Sequence, residues 1–182
     1  MSLSCLAYIN RQSPDAAALL MQHRESLIGL CLQRLRLNFA RNYQNFADFR
    51  MYIQENRVQL KEFFFSLMRC EALPDQQGAA VSALLGLLLG CLKDGDNELK
   101  ELALYIFTEM STEIHFLNTS LEENMTQLIV NFVKPLLRED QPVLVRMRAC
   151  HLLASYNYLE LPEEHLVELA TAVYNCLLVN GQ

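Results

Sequence analysis

Histidine and cysteine are the residues of this sequence with the widest chemical range, because both bind metals and both act as nucleophiles or proton carriers. The chain contains 4 histidines and 6 cysteines. No histidine stands at a metal-ligand spacing from another histidine or a cysteine, and the cysteines form no CxxC pair. The sequence therefore predicts no metal site. The cysteines are Cys5, Cys31, Cys70, Cys91, Cys150 and Cys176. We expect most of them to be buried free thiols in a reducing compartment.

Cys150 and His151 are neighbours in sequence, so we consider whether they could form a Cys–His catalytic pair. Adjacent residues of a helix point about 100° apart, so this pair is poorly placed for proton transfer. Neither GxxxxGK[ST] nor GxGxxG occurs, so no loop is predicted to hold a phosphate-containing cofactor. We expect a protein that is not an enzyme and needs no cofactor. An all-α enzyme stays open, and a deep pocket with a strongly shifted titratable residue would indicate one.

Polar side chains on two predicted helices are stronger candidates for function. Each set lies on the side of its helix that faces away from the apolar residues. If the helices stack, these polar sides would face a partner protein. The simpler alternative is that they are an ordinary solvated surface. The residues predicted to bind a partner protein are Glu98, Glu101, Tyr105, Glu109, Arg148, His151 and Ser155.

Charge is distributed unevenly along the chain, whose net charge is −6. Residues 1–70 contain nine basic and five acidic residues, whereas residues 71–182 contain six basic and sixteen acidic ones. The acidic second part suits a basic protein partner, because opposite potentials accelerate encounter. The arginines of the first part lack aromatic residues interleaved on the same face, which disfavours nucleic-acid binding.

The stretch Ala79–Leu92 contains no charged residue and a single hydroxyl. It lacks the polar face of an ordinary surface helix. It is also shorter than the roughly 18 apolar residues that a membrane span needs, so no membrane association is predicted. We therefore expect a helix buried on nearly all sides by other helices, with Gly86 and Gly90 serving close packing.

The remaining pattern is helical throughout, because no stretch alternates with a two-residue period. Short turns separate the helices. Asp96 is predicted to cap the helix that follows it, Ser120 and Glu123 to form a capping box, and Pro135 to disturb the end of a helix. The sequence predicts an all-α protein of about seven helices, at approximately 13–40, 46–70, 75–92, 97–116, 121–137, 142–156 and 162–179.

Two segments of the chain align without gaps and indicate a repeat. Leu99–Phe107 matches Val145–Leu153, and Ala103 aligns with Ala149, 46 residues later. A unit of about 40–47 residues built from two helices is typical of HEAT and armadillo repeats, which stack and share a core. We predict one HEAT-repeat-like α-solenoid segment of antiparallel helix pairs over residues 1–182, with approximate units 13–71, 75–117, 120–158 and an incomplete 161–182.

From about residue 80 onward the chain resembles the importin-β (karyopherin-β) superfamily of nuclear transport receptors, with the importin 7/importin 8 branch the most similar. The likeness lies in Ile129–Leu137, in Val145–Leu153 with its Arg-x-Arg-Ala-Cys sequence, and in Ala172–Leu177. Importin 5-like receptors also resemble residues 125–155. The resemblance implies a fragment of a longer receptor that binds protein cargo and the GTPase Ran along the concave face formed by the second helices. It also implies contacts with phenylalanine-glycine nucleoporins and a location in cytoplasm and nucleus.

The sequence thus favours a non-enzymatic, importin-like fragment that binds a basic protein cargo and, by resemblance, Ran. A HEAT-repeat scaffold or regulatory subunit unrelated to nuclear transport is the alternative. The two differ in whether binding depends on the nucleotide state of Ran.

Overall fold

A computed structural model describes residue 15 and residues 22–36, 57–58, 61, 74–111 and 119–179. The chain divides into two compact units, Met1–Leu87 and Leu88–Gln182. Within the described residues every regular element is helical, which confirms the all-α prediction. Six α-helices are described: α1 (Arg24–Leu35), α2 (Pro74–Asp94), α3 (Asn97–Glu109), α4 (Thr119–Leu128), α5 (Val143–Ser155) and α6 (Glu163–Val179).

In the first unit, α1 buries one apolar stripe, as its sequence pattern predicts. The buried side chains follow helical spacing and are Ile28, Cys31, Leu32 and Leu35. The helix ends where Arg36 becomes extended and donates its N–H to the Leu32 carbonyl. Arg57, which is completely buried, donates from Nε to the Leu35 carbonyl at 3.0 Å. A guanidinium at this helix end offsets both an unpaired carbonyl and the negative end of the helix dipole.

The α2 helix is less enclosed than its composition predicts. Leu84, Leu88 and Leu92 form a buried stripe with a four-residue spacing. Leu87, however, is 45% exposed, and a Cβ built at Gly86 or Gly90 meets no atom within 4 Å. The expectation of burial on nearly all sides is therefore wrong for the described part of α2, and these two glycines do not serve close packing.

The turn between α2 and α3 has the predicted form. Asp96 is the N-cap of α3, and its side chain accepts a hydrogen bond from the Leu99 N–H at 3.0 Å. Gly95 donates its N–H to the Cys91 carbonyl at 3.1 Å. A Cβ at this glycine would lie 2.2 Å from the same carbonyl oxygen, so only glycine leaves room for the turn.

The helix buried on all sides is α3 rather than α2. Eight consecutive residues, Glu101 to Thr108, are buried, although they include a carboxylate, a phenol and a hydroxyl. Thr108 Oγ1 donates to the Leu104 carbonyl one turn earlier at 2.8 Å. Polar groups can occupy such a position when each has a partner, because burial is costly only for unpaired groups.

The helix predicted for 121–137 changes its winding along its length. Regular α-helix ends at Leu128 and is followed by a π-helical turn, Ile129–Val133, and a 3₁₀ turn, Lys134–Leu137. The Lys134 N–H bonds to the Ile129 carbonyl five residues back. Pro135 has no N–H to continue an α-helix, which accounts for the change and agrees with the predicted disturbance. Because α4 already begins at Thr119, Ser120 lies inside the helix rather than at its N-cap.

Helices α3 and α5 pack side by side and run in the same direction. Three side-chain contacts join α3 and its C-terminal end to α5 and the turn after it, and they advance along both segments together. The sequence separations are 47, 49 and 47 residues, close to the predicted repeat length. The contacts join Glu101 to Arg148, the Phe107 carbonyl to the Tyr156 hydroxyl, and the Ser111 carbonyl to the Tyr158 hydroxyl.

Some predictions fall outside the described residues, namely the start and the end of the helix predicted for 13–40 and most of the helix predicted for 46–70. In the described ranges, no helix is long and apolar enough to cross a membrane.

Candidate functional site

The α5 helix carries the centre of the candidate site, the Arg148 guanidinium. Its Nε donates to Glu101 Oε1 on α3 at 3.1 Å. The Arg148 side chain is 16% exposed and the Glu101 side chain 1%. Because water screens this charge-assisted hydrogen bond only weakly, its interaction energy exceeds that of an ion pair on the surface.

Two further residues complete what we call the Arg148 cluster, defined as Glu101, Tyr105, Arg148 and His151. The Arg148 guanidinium carbon lies 5.0 Å from the centre of the Tyr105 ring, a cation–π distance. Arg148 Nη1 lies 3.5 Å from His151 Nδ1 one turn later on α5. The arginine therefore contacts a carboxylate and an aromatic face on α3 together with an imidazole on its own helix.

This geometry corrects the prediction for two residues. Glu101 and Tyr105 are 1% and 5% exposed, so they face α5 instead of a partner. Their burial follows from α5 packing on the side of α3 that the helical pattern alone leaves open to solvent. The Arg148 cluster is thus a joint between two helices.

The other predicted residues are placed differently. His151 is exposed, and the Ser155 hydroxyl donates to the His151 carbonyl at 3.1 Å, which is an intrahelical bond. Glu98 and Glu109 are half-buried near the two ends of α3. Of the predicted set, the structure brings Glu101, Tyr105, Arg148 and His151 together and leaves His151 the most accessible.

The opposite flank of α5 carries Arg146, which is 4% exposed. Its Nε and Nη1 atoms are buried and have no hydrogen-bond partner in the described part of the chain. Cys150 lies one turn further along α5. Burial raises the pKa of its thiol to about 11, the nearby Cys176 thiol adds to the rise, and Arg146 opposes it. Cys176 itself donates from Sγ to the Leu137 carbonyl at 3.2 Å.

The surface of the second unit is strongly acidic. Several basic side chains there are engaged: Lys134 pairs with Glu168, and Arg138 Nε lies 3.5 Å from Asp140. Lys134 also holds the pKa of the Glu168 carboxyl below its usual value. The described side chains of this unit include eight exposed acidic residues but only two exposed basic residues, Lys93 and Arg138. The acids are Asp94, Asp96, Glu139, Asp140, Glu160, Glu163, Glu164 and Glu168.

Four of these carboxylates collect at one edge of the α3–α5 pair. Asp94 and Asp96 precede or cap α3, and Glu139 and Asp140 lie in the turn before α5. Because the two helices are parallel neighbours, their N-terminal ends lie on the same side. We call these four residues the acidic edge. Sequence reasoning missed them as a site, although the repeat places Asp94 and Asp140 at equivalent positions, 46 residues apart.

Little in the described residues offers reactive chemistry. They contain no group of three or more histidine, cysteine, aspartate or glutamate side chains placed to hold a metal. The four described cysteines, Cys31, Cys91, Cys150 and Cys176, are free thiols. Burial raises the pKa of the Cys31 thiol to about 11, and burial and Asp96 raise that of Cys91. Thiols with raised pKa values are poor nucleophiles at neutral pH.

Comparison of the chain with family models, with curated proteins and with solved structures gave no match.

Proposed function

We propose that this chain is a non-enzymatic, importin-like segment of a nuclear transport receptor, an α-solenoid that binds a basic protein cargo. The observation that carries the proposal is the parallel packing of α3 and α5 at a separation of 47 to 49 residues. Neighbouring units of a solenoid place equivalent helices side by side at one repeat length. The transport role itself rests on the sequence resemblance described above.

The cargo surface is assigned to the acidic edge. Its carboxylates are exposed, whereas Glu101, Tyr105 and Arg148 are occupied in joining the helices. Exposed charges that face a partner steer encounter and fix its orientation more than they add affinity. Lysine- and arginine-rich segments have the matching chemistry, and we expect their binding to weaken as salt concentration rises.

Neutralising the acidic edge tests this assignment. The probe is a fluorescent protein carrying a lysine- and arginine-rich segment, and the variant is Asp94→Asn, Glu139→Gln and Asp140→Asn combined. We expect about a tenfold loss of affinity in fluorescence anisotropy. The matched control, Glu109→Gln, Glu160→Gln and Glu168→Gln combined, removes the same charge from other parts of the second unit, and we expect less than about a threefold loss. Equal losses would show a general charge effect and contradict the assignment.

The transport role needs a separate experiment. The 182-residue chain is immobilised and exposed to Ran loaded with GTP or with GDP. The proposal expects preferential capture of the GTP form, and indifference to the nucleotide would contradict it.

The second candidate, a HEAT-type scaffold unrelated to transport, is favoured by one observation. Two of the four predicted binding residues on α3, Glu101 and Tyr105, are buried in the α3–α5 joint, as suits a rigid support. A scaffold would keep the acidic-edge binding and show no response to Ran in either nucleotide state.

A further inference from the structure

The α6 helix is apolar on its outward face as well as on its buried one. Leu169 and Cys176 are 5% and 4% exposed and mark the side that packs on the rest of the second unit. On the opposite side Val167 is 61%, Tyr174 60% and Leu178 54% exposed.

These side chains form a continuous row together with Ala170, which is also exposed. Their spacings of three, four and four residues keep them on one face of a helix. We call Val167, Ala170, Tyr174 and Leu178 the α6 stripe. Single exposed apolar residues are ordinary, but a continuous row marks an interaction surface.

The charges beside the stripe have one sign. Glu163 lies one turn before Val167 on the same face of α6. Glu164 is the next residue after Glu163, and both glutamates are exposed. Residues 163–179 contain no lysine or arginine. The third carboxylate of the helix, Glu168, is paired with Lys134. An apolar row with acidic side chains at its N-terminal end is complementary to an apolar row flanked by basic side chains.

We propose that the α6 stripe docks an amphipathic helix of another protein whose apolar face is bordered by lysine or arginine. A helix that lies along the stripe would present apolar side chains at positions i, i+4 and i+7, with Tyr174 as the central anchor. Its basic residues would lie against Glu163 and Glu164. This docking surface is separate from the acidic edge and does not rest on the proposed transport function.

The same charges argue against two other occupants. A second copy packed antiparallel on the stripe would offer Glu163 and Glu164 no basic side chain, since residues 163–179 contain none. A copy packed parallel would bring like charges together, which disfavours association. An anionic lipid surface would repel the same carboxylates, whereas membrane-binding helices carry lysine and arginine on their polar face.

The test uses the full chain and a fluorescent 18-residue helical peptide with leucines on one face and lysines beside them. Two control peptides replace the lysines with glutamate or the leucines with serine. We expect anisotropy to show at least tenfold weaker binding of both controls. Amide chemical-shift changes on adding the lysine peptide should map to residues 163–178.

Variants of the chain separate stripe binding from general attraction. Val167→Ser with Tyr174→Ser should weaken the lysine peptide by about tenfold or more. Val143→Ser with Met147→Ser, which alters side chains 46% and 57% exposed on α5, should change its affinity by less than twofold. Glu163→Lys with Glu164→Lys should reverse the preference towards the glutamate peptide.

Several results would overturn the proposal. These are equal losses in the two serine pairs, failure of the chain to bind the lysine peptide, or co-sedimentation of the chain alone with phosphatidylserine and phosphatidylcholine vesicles that Val167→Ser with Tyr174→Ser abolishes. Concentration-dependent dimerisation that Val167→Ser with Tyr174→Ser abolishes would assign the stripe to a second copy instead. Circular dichroism confirms that each variant keeps its helical content.

Discussion

Two arginines of α5, Arg146 and Arg148, differ in whether their guanidinium groups have interaction partners, although only one residue separates them. Arg148 points to the α3 flank and contacts Glu101, Tyr105 and His151. Arg146 lies on the other flank with two buried nitrogens that lack a partner among the described residues. Burial alone therefore does not tell whether a charge supports the fold. What decides is whether the neighbouring element supplies a carboxylate or an aromatic face.

The largest effect is expected on the Arg148 flank. Arg148→Met keeps the length of the side chain but leaves Glu101 without its guanidinium partner in a buried position. We expect a loss of roughly 3 kcal/mol in unfolding free energy, since breaking a buried pair from one side is strongly destabilising. In a protein of this size that corresponds to a fall in Tm of about 6–12 °C. Urea denaturation measures the effect, and a loss of less than about 1 kcal/mol would place Arg148 outside the joint.

A smaller loss is expected from a hydrogen bond at the far end of the same joint. The buried Tyr156 hydroxyl donates to the Phe107 carbonyl at 2.8 Å. Tyr156→Phe removes the donor without opening a cavity, and we expect a cost of about 1 kcal/mol. Tyr158→Phe is the control, because its bond to the Ser111 carbonyl is longer at 3.2 Å and only partly buried. A larger cost for the control would contradict the account of this joint.

On the other flank we expect the sign to change. Arg146→Met removes a buried guanidinium and keeps most of its apolar contact area, so stability should stay within about 0.5 kcal/mol or rise. The same urea titration, run beside Arg148→Met, gives the comparison. A loss above about 2 kcal/mol would mean that Arg146 is compensated as well as Arg148 is.

The last effect concerns pH. The pKa of the Cys150 thiol is about 11 in the folded protein, against an ordinary value of 9.0. Above pH 9 the unfolded chain loses this proton while the folded chain keeps it, so stability falls as pH rises from about 9 to about 11. Cys150→Ala should lose less stability than the wild type between pH 8 and pH 10.5 in urea titrations. Equal losses would show that the thiol is not shielded on this flank.

The helices were accessible to sequence reasoning because they depend on local spacing. The buried stripe of α1, the Asp96 cap and the change of winding near Pro135 each follow from residues within a few positions of one another. The offset of 46 residues between Ala103 and Ala149 is close to the separations of 47 to 49 residues at the α3–α5 contacts.

Features that depend on a neighbouring element were not accessible. Ala79–Leu92 has the more apolar sequence, yet α3 is the helix enclosed on all sides, because Arg148 of α5 compensates Glu101. The buried Arg57 donates a hydrogen bond to the carbonyl of Leu35, 22 residues earlier. Local sequence patterns do not reveal a contact at this separation. The outward stripe of α6 follows helical spacing, but the side that packs is known only from the neighbours.

The central claim is that α3 and α5 are neighbours joined through Glu101 and Arg148, 47 residues apart in sequence. A double-mutant cycle tests it most directly, with urea denaturation of the wild type, Glu101→Gln, Arg148→Met and the double variant. The account predicts a coupling free energy of about 1.5 kcal/mol or more, since contacting residues are not additive. A coupling within about 0.5 kcal/mol of zero would show that the two helices are not joined in this way and would remove the structural support for the proposed solenoid.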